Sequence, residues 1–151
     1  MILQYPDKRL LEKSKDFISK EHAQVFLPHF KTLVEKYRDN ALGLAAPQTG
    51  LNMNLIWSRK GGIMINPIII EKSEEKGSIE SCLSINTNPP KLFAVKRFNK
   101  IKVMFRDENF KVKRKTFTGL DAFVIQHECD HLDGKTLYES GKEINIVNEE
   151  Q

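Results

Sequence analysis

Leu120, Phe123, Val124, His127 and His131 stand at i, i+3, i+4, i+7 and i+11. That spacing puts all five side chains on one face of an α-helix. A helix whose face ends in two imidazoles constrains the fold, because the rest of the chain must enclose those rings and complete whatever they bind. Thr118 or Gly119 precedes the pattern, and Gly134 lies where the helix can end. The rings belong to His127-Glu128-Cys129-Asp130-His131, an HExxH sequence. Two histidines four residues apart can grip one metal ion, and the glutamate between them lies beside the metal-bound water, where it can take a proton. The metal lowers the pKa of that water toward ~7, which makes a nucleophile at neutral pH.

A catalytic site of this kind needs a third protein ligand and an open position. The candidates are Cys82, Cys129, His22, His29 and the acids. Cys129 is two residues from His127, so it points to another face and reads as a small buried hydrophobe. Cys82 sits in Glu80-Ser81-Cys82-Leu83-Ser84, with polar groups on both sides of an otherwise apolar strand; a ligand and a structural thiol both fit there. His22 and His29 fall on the polar face of the first helix and read as solvated. Two cysteines are too few for a disulfide framework. A third feature is Gly43-Leu44-Ala45-Ala46-Pro47-Gln48. Its small residues let backbone approach a ligand, and the Gln48 amide can donate to a developing oxyanion; an ordinary loop and turn explain the same residues.

Val25, Phe26, Leu33, Val34 and Tyr37 predict a first helix, with Pro28 near its first turn and an end at Arg38-Asp39-Asn40. Residues 2–11 read as an extended arm turned at Pro6-Asp7. Residues 55–57 and 63–65, bounded by Gly61-Gly62, predict paired strands. Further strands are expected at 68–70, 79–85, 93–95, 101–105 and 111–117, with 71–77 as a charged loop and Asp107-Glu108-Asn109 as a turn. The polar stretch from Glu139 reads as a tail, frayed over about the last ten residues. The expected fold is α+β, one domain over residues 1–151, with a mostly antiparallel sheet between two helices. Hydrophobic residues at 40% and charged residues at 29% exclude a disordered, collagen-like or coiled-coil chain. No apolar run approaches the ~20 residues of a membrane span, and the first residues lack the basic start and apolar stretch of a signal peptide, so a cytoplasmic protein is expected; a monomer is the expected state. A net charge of +4 permits an anionic partner. The cations concentrate at Lys96, Arg97, Lys100, Lys102, Arg106, Lys111, Lys113, Arg114 and Lys115, which read either as a solvated strand surface or as a contact for ribosomal RNA.

Three segments together resemble the peptide deformylase family, whose motifs have the form GxGxAAxQ, EGCLS and QHExDH. Here they read Ala41-Leu42-Gly43-Leu44-Ala45-Ala46-Pro47-Gln48, Glu80-Ser81-Cys82-Leu83-Ser84 and Gln126-His127-Glu128-Cys129-Asp130-His131, in the family's order. The likeness continues through Tyr5-Pro6-Asp7, Ile65-Asn66-Pro67 and His131-Leu132-Asp133-Gly134. It implies an α+β fold with short, mostly antiparallel sheets around the HExxH helix. It implies Cys82, His127 and His131 as metal ligands with water in the fourth position, and Glu128 as general acid/base. Gln48 and the Leu83 N–H would be the oxyanion donors. Leu42 and Gly43 would contact substrate. On the helix face one and two turns before His127, Leu120, Phe123 and Val124 offer an apolar pocket for a methionine side chain, and core packing explains the same three residues equally well. The implied reaction removes the N-formyl group from the N-formylmethionine of new polypeptides and releases formate. Fe²⁺ is the usual ion, with Zn²⁺, Ni²⁺ or Co²⁺ as replacements. The implied setting is a bacterial cytoplasm, or an infected host cell for a phage-encoded member.

The departures are Ala41 at the first glycine of its motif, Ser81 at the glycine before the cysteine, and Ile85-Asn86 after the second motif. Only 20 residues follow His131, where many members continue into a long helix that in some docks on the ribosome. Two other functions compete. A small HExxH peptidase would take its third ligand from Glu139 or Glu143 and leave Cys82 idle. A noncatalytic metal-containing module bound to ribosome or RNA would need neither Glu128 nor Gln48.

Overall fold

The computed structural model describes residues 1–145. Its scaffold is a long antiparallel ladder, β3 (Gly62–Glu80) against β4 (Leu92–Arg106). On one side β3 pairs with β2 (Leu55–Ser58), and β2 with the short edge strand β1 (Gly43–Ala45). On the other, β4 pairs with β5 (Val112–Thr118) at one end and with β6 (Gly141–Ile144) at the other. Among the described residues these form a single mixed-length, wholly antiparallel sheet.

Strand alternation distributes the core. Leu44, Leu55, Trp57 and Ile65 face helix α1 (Lys20–Tyr37), whose Ala23, Leu27, Phe30, Leu33 and Val34 are buried against them. Ala45, Ile56 and Met64, their neighbours in sequence, face the other way. They pack with Ile101, Val103, Phe105 and Phe117 against Ala122, Ile125 and Leu132 of helix α2 (Gly119–Leu132). The β1–β2 end of the sheet is thus covered on both faces, which is why all four residues of β2 are buried. The Gln126 amide pins α2 to β4, donating to Phe98 O at 2.8 Å and accepting from Phe98 N at 2.9 Å. Gly134 ends the helix at φ 74°, and a Cβ there would lie 2.7 Å from Leu11 O. A short third helix, α3 (Leu137–Ser140), leads into β6. No helix among the described residues is long and apolar enough to cross a membrane.

The α+β architecture, the Gly61-Gly62 turn, the Asp107 turn, the strand from Val112 and the helix ending before Gly134 agree with the sequence reading. Several details differ. Residues 71–77 are not a loop: β3 runs through them, because Glu71 lies opposite Lys102 and Ser73 opposite Lys100, and pairing with β4 overrides the local charge. Pro67 is accommodated by register shifts on either side of Ile68–Ile69, with Asn66 at φ 51° bonding both backbone groups of Phe17. Residues 93–95 and 101–105 belong to one strand. Residues 81–85 are not extended but turn after β3. Helix α1 begins earlier than its apolar pattern, since Ser19 caps it by accepting from His22 N at 3.0 Å. Pro28 therefore lies in the helix interior, and Val25 is exposed, a residue off the buried stripe. The arm contains a 3₁₀ turn at Lys8–Leu11. The segment from Glu139 is ordered through β6, where pairing with Leu92–Val95 holds it; the expected fraying beyond residue 145 lies outside the described residues.

Candidate metal centre and active site

Helix α2 delivers two of the site's side chains and the turn after β3 delivers the third. Cys82 Sγ, one nitrogen of His127 and one of His131 lie within 4.8 Å of one another, with Cys82 Sγ 3.4 Å from His131 Nε2. Cys129 is not among them. It packs against the α2–sheet core, and burial pushes its thiol well up, as befits an inert cysteine. His29 is exposed, and His22 caps the loop before α1, its Nδ1 accepting from Ile18 N at 3.2 Å.

Burial works against a Cys82 thiolate, but the His131 and His127 rings hold its thiol well below the ordinary range. Burial likewise works against a charged His127, while Cys82 and Glu80 hold a proton on that ring. A pocket that sets the Cys82 thiolate beside a protonated His127 ring is suited to a cation, and an ion taking the proton's place would release it. The donor set, one soft thiolate and two imidazoles, fits a first-row divalent metal. His127 Nδ1 is 2.9 Å from Glu80 Oε1, so its other nitrogen is the one that would face an ion. Glu80 is itself held by Arg97 through bonds of 2.9 and 2.8 Å, and Arg97 reaches Asp130 of α2 at 2.5 Å. Burial disfavours the Glu80 charge, yet these donors bring its carboxyl down to about 2. Arg97 is only 4% exposed, which corrects its inclusion among the solvated basic residues.

Glu128 is 4% exposed, and its Oε1 is buried with no hydrogen-bond partner. Burial raises its carboxyl to about 7 despite the opposing pull of His127 and His131. Gly43 makes room for it: a Cβ on residue 43 would lie 2.7 Å from Glu128 Oε2. Gln48 is buried in a 3₁₀ turn after β1, its Oε1 accepting from Ala45 N at 2.9 Å. Its Nε2 is thereby turned toward the second motif, 3.1 Å from Ser84 Oγ and 3.6 Å from Cys82 Sγ.

A cleft of about 390 Å³ opens onto this centre. Leu42, Gly43, Gln48, Cys82, Leu83, Leu120, Phe123, Val124, His127 and Glu128 all line it, so the structure brings together every residue expected to meet substrate. Leu120, 61% exposed, stands at its mouth. Ala41 and Ser81, the two departures from the motifs, line the same cleft. His131 lies behind it, 1% exposed. Sequence reasoning gave no role to Glu80 or Arg97. The signal for Arg97 was present in strand alternation, since Phe93, Val95, Ile101, Val103 and Phe105 share its parity and are buried.

The profile of the polypeptide deformylase family matches residues 1–145. A peptide deformylase of Baumannia cicadellinicola is 37% identical over 140 residues, covering 89% of this chain and 81% of its own. One from Buchnera aphidicola is 36% identical, covering 89% and 92%. Among solved structures, a probable peptide deformylase from Synechococcus phage S-SSM7 superposes with a TM-score of 0.77 at 31% identity, over 93% of this chain and 98% of that one. The peptide deformylase of Thermotoga maritima does so with 0.79 at 27% identity, over 93% and 95%. With a family profile spanning nearly the whole chain and the three motifs meeting at one cleft, this protein belongs to the peptide deformylases, enzymes that remove N-formyl groups from nascent peptides.

Proposed function

We propose that this chain is a metal-dependent deformylase in which Cys82, His127 and His131 hold one divalent ion, iron(II) by preference, with zinc, nickel or cobalt able to replace it. The observation that carries this reading is the meeting of that Cys82–His127–His131 cluster with one cleft, which Cys82 and His127 line together with Glu128, Gln48 and Leu83. Such an ion, when bound, supplies a Lewis acid and a nucleophilic water near neutral pH. The chain's own residues do the rest. Glu128, buried and held near neutrality, takes a proton from the attacking water and returns it to the leaving amine. Gln48 Nε2 and the Leu83 N–H stabilise the oxyanion that develops on the formyl oxygen. Leu120, Phe123 and Val124 form the apolar wall that receives the methionine side chain, and Leu42 and Gly43 bring the β1 edge against the peptide. The substrate is accordingly a nascent formyl-Met polypeptide, handled by a monomer in the cytoplasm.

The competing peptidase reading needs a ligand after His131. Glu139 instead closes the cap of α3, bonding Thr136 N at 2.7 Å, while Glu143 sits on β6. The test is formate release from formyl-Met-Ala-Ser by metal-loaded protein, with an unformylated peptide of the same sequence as control. Formate from the first and no cleavage of the second is the expected result. Peptide-bond cleavage without formate would overturn the assignment.

A further inference from the structure

The turn that carries Cys82 and Leu83 is fastened to the N-terminal arm by one exposed side chain, Gln4. Its Nε2 donates to Leu83 O at 2.8 Å, and its Oε1 accepts from Asn86 N at 3.0 Å. The turn closes on itself through Ile85 N donating to Cys82 O at 3.0 Å. The Cys82 carbonyl and the Leu83 N–H belong to the same peptide plane, so that closing bond turns the N–H the opposite way, out of the turn. The next plane, the central one of the turn, carries the Leu83 carbonyl that Gln4 holds. Central peptides are the part of a four-residue turn that can flip between turn types. The flanking arm residues complete the fastening: Tyr5 N donates to Ser84 O at 2.8 Å and Leu3 N to Gln48 O at 2.7 Å. Three consecutive arm residues thus tie the turn to the segment bearing Gln48.

We infer that Gln4 is a positioning residue for the reaction, a clamp that fixes the Cys82–Asn86 turn and with it the direction of the Leu83 N–H relative to the Gln48 amide. The inference rests on the proposed use of that N–H as an oxyanion donor. Gln4 does not line the cleft itself; it acts through Leu83 and Asn86, which do. Nothing in the three motifs points to it, because it lies 79 residues from its partner.

The test compares wild type with Gln4→Met, which keeps the length and apolar stem but loses both bonds, and with Gln4→Glu, which keeps an acceptor for Asn86 N but sets a carboxylate oxygen against Leu83 O. Because Gln4 is exposed, both variants should fold. On formyl-Met-Ala-Ser, kcat should fall about tenfold in Gln4→Met, less than the ~10²–10³-fold of losing an oxyanion donor outright. It should fall at least as far in Gln4→Glu, while KM stays within about twofold. Amide exchange at Ile85, whose N–H closes the turn, should accelerate about tenfold in Gln4→Met. A lower Tm with unchanged kcat would make Gln4 merely structural and overturn the inference, as would unchanged Ile85 exchange. If the wild-type protein released no formate, the functional reading would fall, and the Ile85 comparison would still decide whether the clamp exists.

Discussion

Strand β4 passes through two electrostatic regions. At Arg97 it carries a cation that is 4% exposed and bonded to Glu80 and Asp130; three residues on, Lys100 stands in water, as do Arg114 and Lys115 on the neighbouring strand. Burial decides what each of these charges does. A buried charge must be fully partnered, so its geometry is fixed, and at Arg97 that fixity passes through Glu80 to the His127 ring. An exposed charge is shielded by solvent and fixes nothing. On β5, a sheet edge, exposed lysines also discourage pairing with another chain.

The largest difference between the regions should appear on removing each cation. Arg97→Met takes the guanidinium from the mostly buried Glu80 and the half-buried Asp130 and should cost roughly 3 kcal/mol, read by urea unfolding, with weaker metal retention. A loss below 1 kcal/mol would break the comparison. Within the buried region, crowding sharpens it further. Gly43→Ala forces a methyl group onto Glu128, and kcat should drop by about 10²-fold from that displacement while the fold persists. Acid reads the same network another way. Glu80 titrates at about 2 rather than its ordinary 4.5, so its contribution is complete above 4.5 and is lost as pH falls from there toward 2. Glu80→Gln should flatten the stability–pH curve in that window; an unchanged slope would mean that other acids dominate it. The smallest effect belongs to the open region, where Lys100→Ala and Lys115→Ala should each stay within about 0.5 kcal/mol of wild type by the same urea measurement.

Much of this was legible in the sequence for a physical reason. The α2 site rests on a single helical period, and a period survives whatever packs against it; Gly134 and the Gly61-Gly62 turn mark positions that need positive φ or close approach. What escaped depends on partners distant in sequence. The charged run at 71–77 reads as a loop until β4 supplies a ladder to pair with it, and Pro28 reads as a first-turn residue until Ser19 caps the helix early. Cys82 reads as a strand residue because Ile79 and Leu83 flank it, whereas the turn there is fixed by the arm and by Ile85. Arg97 is hidden among its basic neighbours along the chain and stands apart from them only by strand face.

In the proposed reaction Cys82, His127 and His131 bind the ion while Glu128 alone among the cleft's acids moves the proton. Metal content and turnover measured together in Glu128→Gln separate these two roles. The variant should carry one equivalent of metal per chain and hydrolyse formyl-Met-Ala-Ser about 10²–10⁴-fold more slowly than wild type. Near-normal turnover at full metal content would contradict the account.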